Sequence, residues 1–146
     1  RRGFQFRVTL ESGDAAQNIV LQQLGYRAEM PSRTERSYVS GSSTSISPID
    51  SGTSSSGVDV TFGSPFFVGT SVLGGVNFYK PSVAITIMGQ NSGDYATIKT
   101  DSNGDFLNAA GTIVTGTGFN VSIKDVNNNP INKKFTFQAV GFGKGG

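Results

Sequence analysis

The sequence predicts an all-β protein: an antiparallel β-sandwich preceded by a short β-strand pair and a Ser/Gly-rich linker. Three observations carry that prediction. Apolar residues recur at every second position in several short runs, the spacing of a strand with one buried face. Clusters of Gly, Asn, Asp and Pro separate the runs, and these are turn residues. Charged residues make up only 15% of the chain while Gly reaches 20, a balance that suits turn-rich β-structure better than amphipathic helices.

Taken in order, residues 4–10 (FQFRVTL) place Phe4, Phe6, Val8 and Leu10 on one face, with Gln5, Arg7 and Thr9 on the other. A second extended stretch sets Leu24, Tyr26, Ala28 and Met30 against Gly25, Arg27 and Glu29. Two strands alone are marginal in water, so this piece, residues 1–39, is expected to pack on an upstream domain or a neighbouring subunit, as the end of a longer shaft. Residues 40–57 are dominated by Ser, Gly and Thr, a linker composition that buries too little to fold by itself. The charge types change across it: every Arg and every Glu falls before residue 37, and every Lys from Lys80 onward.

The main domain is expected over residues 58–146. Val58, Val60 and Phe62 alternate with Asp59 and Thr61, and Val83, Ile85 and Ile87 alternate with Ala84, Thr86 and Met88. These two runs are expected to pair. Further strands are predicted at 95–99, 112–115, 118–124 and 134–142, with Phe119, Val121 and Ile123 inward and Asn120, Ser122 and Lys124 outward. Phe66, Phe135 and Phe137 are in phase with the core. Short strands at this spacing indicate a sandwich. A Gly-rich excursion lies between Phe67 and Lys80.

Charge and composition also bound the function. The net charge is +2 and the basic residues form no stripe, so no nucleic-acid partner is expected. There is no Cys, hence no disulfide framework, and no His, hence no Ser-His-Asp triad. No nucleotide-binding or nucleophile-elbow motif is present, and no pair of carboxylates stands out, so no enzyme is expected. Asp101, Asn103 and Asp105 match positions one, three and five of a calcium loop. Phe106 and Thr112 then stand where such a loop needs Gly and Glu, so a hairpin turn with Asn103 and Gly104 at positive φ is expected instead. No metal and no cofactor are expected. Aromatic and amide residues on loops remain as candidates for binding, because a rigid ring offers area at low entropy cost.

Several of these runs also resemble a known family in their order. They are residues 58–62 (VDVTF), 64–66 (SPF), 81–87 (PSVAITI), 93–95 (GDY), Gly118 with Phe119, and 135–142 (FTFQAVGF) with the tail through Lys144. Together they resemble the C-terminal domain of phage tail-tip host specificity proteins, the protein J-like central tail fibres. Residues 4–12 and 26–33 (YRAEMPSR) resemble the strand pair that precedes that domain. The same order is similar to the H-type lectin fold, small sandwiches that trimerise and bind sugars. The resemblance implies a homotrimer on the virion, at the distal end of the tail, attached to upstream tail-fibre domains. It further implies attachment to a bacterial surface polysaccharide or an outer-membrane protein, without catalysis. The alternatives are a trimerisation cap for the fibre and a carbohydrate-binding module. The residues expected to make the contacts are Asn77, Phe78 and Tyr79 with Gln90, Asn91, Asp94 and Tyr95.

Overall fold

The structure is a computed structural model and describes residues 7, 9, 31–37, 47–69 and 79–143. Among these residues there is no helix, and the strands form two antiparallel sheets, as a β-sandwich requires. The strands are β1 (Ser32–Arg36), β2 (Ile49–Asp50), β3 (Val58–Thr61), β4 (Ser82–Met88), β5 (Tyr95–Ile98), β6 (Gly118–Lys124) and β7 (Lys134–Phe142). The expected extended stretches at 4–10 and 19–30 lie outside the described residues, save Arg7 and Thr9, which are exposed and belong to no strand.

One sheet is built on β7. On one side β7 pairs with β1, from Ser32 opposite Phe142 to Arg36 opposite Gln138, and then with β2 at Phe135 and Lys134. Its other side pairs with β4, from Ser82 opposite Val140 to Met88 opposite Lys134. The second sheet has the order β3-β6-β5. Two strands of the first sheet therefore come from stretches that the sequence assigned to the strand-pair segment and the linker.

The expected pairing of 58–62 with 83–88 is not what forms: β3 pairs with β6, and β4 with β7, in different sheets. Their shared alternation reflects a shared core, not a shared ladder. Each turns its apolar face inward from an opposite layer, and period two reports the face without naming the neighbour. The expected strand at 112–115 is also corrected. Only an isolated bridge between Ile113 and Leu107 forms there. Thr115 instead turns into the core, where its hydroxyl donates to Asp105 Oδ1 at 2.8 Å and accepts from the Phe106 amide at 2.9 Å.

The core lies between the two central strands. Phe119, Val121 and Ile123 of β6 face Phe135, Phe137 and Ala139 of β7, all buried. Phe119 and Phe137 meet edge to face at 5.3 Å, and Phe62 meets Phe66 the same way at 4.9 Å, the geometry that the ring quadrupoles favour. Each fully buried side chain of this kind stabilises the fold by about 1.5–3 kcal/mol. β6 departs from the expected alternation: Asn120 and Ser122, assigned to solvent, are 2% and 8% exposed. The Ser54–Gly57 turn lies over them, and Asn120 Nδ2 donates to Asp59 Oδ1 at 2.7 Å.

The Asp101–Asp105 stretch is a turn held by its own carboxylate. Asp101 Oδ1 accepts from the Asn103 and Asp105 amides, both at 2.8 Å, and Gly104 takes φ +75°. Asn103 does not share that positive φ, contrary to expectation, since the Asp101 side chain sets the bend one residue earlier.

Candidate functional site

The sandwich has two unlike ends. Pro31 and Gly143 lie together at one of them, joined by the Gly143 amide donating to Pro31 O at 3.1 Å beside the Ser32–Phe142 pair. The entry into β1 and the exit from β7 therefore lie at the same end, here called proximal. β7 runs nine residues away from it. At about 3.3 Å per residue that puts the opposite, distal end roughly 25 Å off. The distal end is made of the β4–β5 turn, residues 89–94, and the β6–β7 connection, residues 125–133.

The structure brings four expected contact residues together at the distal end. Asp94 is buried, and its Oδ2 accepts from the Asn91 amide at 2.8 Å with Lys133 Nζ 3.6 Å away. Gln90 Nε2 donates to Asp94 O at 2.7 Å, and the Asp94 amide to Asn91 O at 3.1 Å. Gly93 lies at φ +88°, and a Cβ there would stand 2.8 Å from the Val126 Cβ, so the motif Gly93–Tyr95 packs one turn on the next. The Asp94 carboxylate thus serves the turn. Tyr95 reaches across to the second turn, its hydroxyl donating to Asn128 Oδ1 at 2.6 Å, which also receives Lys124 Nζ at 3.1 Å. Asn128 holds φ +67°, the left-handed region that Asn tolerates best among residues with a Cβ.

Asp125 closes the second turn. Its carboxylate accepts from the Asn129 and Asn127 amides at 2.8 and 2.9 Å. The Asn129 amide above all holds its pKa below the ordinary aspartate value of 3.8. The most exposed residues over both turns are largely uncharged: Gln90, Asn91, Asn127 and Asn128 are exposed, with Val126 at 73%, while Asp125 and Lys133 are half-buried. Such a surface suits contact with a partner.

Tyr79 is not part of that group. It lies at the proximal end, where its ring sits 5.9 Å from Phe67 and 5.6 Å from Phe142, all three exposed. Asn77 and Phe78 fall outside the described residues. Sequence reasoning missed Lys133 and Phe142. The Lys133 side chain caps a turn distant in sequence, also donating to Gly89 O at 2.6 Å, and no local pattern announces that. Phe142 carried a signal, since it falls out of phase with Phe135 and Phe137 on the same strand.

Among the described residues no group of three or more carboxylates is placed to hold a metal ion. Comparison of the chain with protein-family models, curated proteins and solved structures found no match.

Proposed function

We propose that the chain is the distal, non-catalytic part of a phage tail fibre, a homotrimer on the virion that attaches to a bacterial surface polysaccharide or outer-membrane protein. The order of sequence motifs suggests the setting. The observation that carries the reading is the polarity of the sandwich. The start of β1 and the end of β7 share one end, and the Gly89–Asp94 turn and the 125–133 connection lie at the other. Recognition by turns on a rigid sheet scaffold is the usual division of labour in such domains. Three copies on one fibre supply avidity on a repetitive surface, so each site needs only weak affinity.

The test is saturation binding of the labelled protein to a panel of bacterial strains, with soluble polysaccharide as competitor. Saturable binding to some strains is expected. Competition by their glycans assigns a polysaccharide receptor, and binding without competition assigns a protein one. A folded trimer that binds no strain, its own host included, supports the fibre-cap reading instead.

A further inference from the structure

The outer face of the second sheet carries a groove of 430 Å³ in a place where a sandwich normally presents only solvated side chains. Thr97 and Lys99 project into it from β5 and the residue after it, Ser122 and Lys124 from β6, and the turn residues Ser55 and Ser56 wall one side. Its chemistry is one-sided. Hydroxyl side chains, the Asn120 amide and the two lysines line it beside Ile98, and no carboxylate residue does so among the described residues.

The lysines are not neutralised by what they touch. Lys99 Nζ donates to Ala109 O at 2.9 Å and Lys124 Nζ to Asn128 Oδ1 at 3.1 Å, both uncharged acceptors, leaving each ammonium with its charge and spare donors. At the floor, the Ser122 hydroxyl is buried and has no hydrogen-bond partner among the described residues. A buried hydroxyl left without a protein partner is rare in folded proteins. Two lysines with no carboxylate partner among the described residues, one toward each end of a hydroxyl-lined strand pair, are complementary to an oxyanion seated between them.

We infer that this groove between Lys99 and Lys124 binds an anionic group, the carboxylate of an acidic sugar or a phosphate. The inference rests on the groove's own chemistry and stands apart from the attachment role: a chain that bound no bacterium would leave it intact. The groove adjoins the distal end through Lys124 and Asn128, so an acidic glycan contacting the turns reaches it without changing direction.

The test is amide chemical-shift titration of the ¹⁵N-labelled chain at low ionic strength with galacturonate, inorganic phosphate and neutral galactose. Saturable shifts at Thr97, Lys99, Ser122 and Lys124 are expected with at least one anion and none with galactose. A response to galacturonate alone assigns a carboxylated sugar, and one to phosphate alone a phosphate group. The double variant Lys99→Gln, Lys124→Gln is expected to weaken binding at least tenfold. Ser122→Ala is expected to weaken it severalfold with thermal stability unchanged or raised, which separates loss of a contact from loss of the fold. No saturable shift with either anion, or affinity unchanged in both variants, overturns the inference.

Discussion

Gly57 shows how one residue shapes a surface. It holds φ +73°, and a Cβ built there would stand 2.5 Å from Val121 O and 2.6 Å from Asn120 Oδ1. Only glycine lets the Ser54–Gly57 turn lie this close to β6. Gly57→Ala is therefore expected to cost about 1–3 kcal/mol, from the unfavourable backbone region and the displaced turn, measured by chemical denaturation. In the core, Phe119→Ala is expected to cost about 3–5 kcal/mol in the same assay, because the ring it removes meets Phe62, Phe106 and Phe137. Asp125 predicts a pH response with a definite sign. Its folded pKa lies below the unfolded value, so its stabilisation of the turn is present above 3.8 and is lost as pH falls through the lower folded value. The amide signals of Asn127 and Asn129 should titrate with a midpoint below 3.8; a midpoint at or above it contradicts the assignment.

At the scale of the element, β3, β4, β5, β6 and β7 were legible because each alternates, and alternation follows directly from one buried face. β1, with the sequence SRTER, has no apolar residue to alternate. Its backbone pairing with β7 makes it a strand, and its Arg33 covers the Phe66 ring at 3.9 Å. That is tertiary information. So is the burial of Asn120 and Ser122, which the pattern assigned to solvent and which only the overlying turn reveals. The distal contacts were half legible: Asn91 and Gly93 read as turn residues, whereas the reach of Tyr95 to Asn128 and of Lys133 to Asp94 depends on the topology. β4 adds a prediction. It is an edge strand of seven residues with neither charge nor proline, the kind of edge that pairs with other chains. Thr86→Lys, on its outward face, is expected to change stability by less than about 0.5 kcal/mol. It should also reduce concentration-dependent association, read by light scattering. Unchanged association would show that this edge is not the adhesive one.

For the whole molecule, two layers joined through β6 and β7 place the start of β1 and the end of β7 at one end and the 89–94 and 125–133 turns at the other. The central claim is that the distal end meets the receptor. The most direct measurement compares two variants, Val126→Asp at the distal end and Tyr79→Ser at the proximal end, in saturation binding to a susceptible strain. Val126 and Tyr79 are 73% and 51% exposed, so both variants should keep the wild-type melting temperature. Val126→Asp is predicted to weaken cell binding by about tenfold or more, the effect of losing about 1.4 kcal/mol of contact energy. Tyr79→Ser is predicted to leave it within about twofold. Loss of binding in Tyr79→Ser with Val126→Asp unaffected would place the receptor at the proximal end and contradict the account.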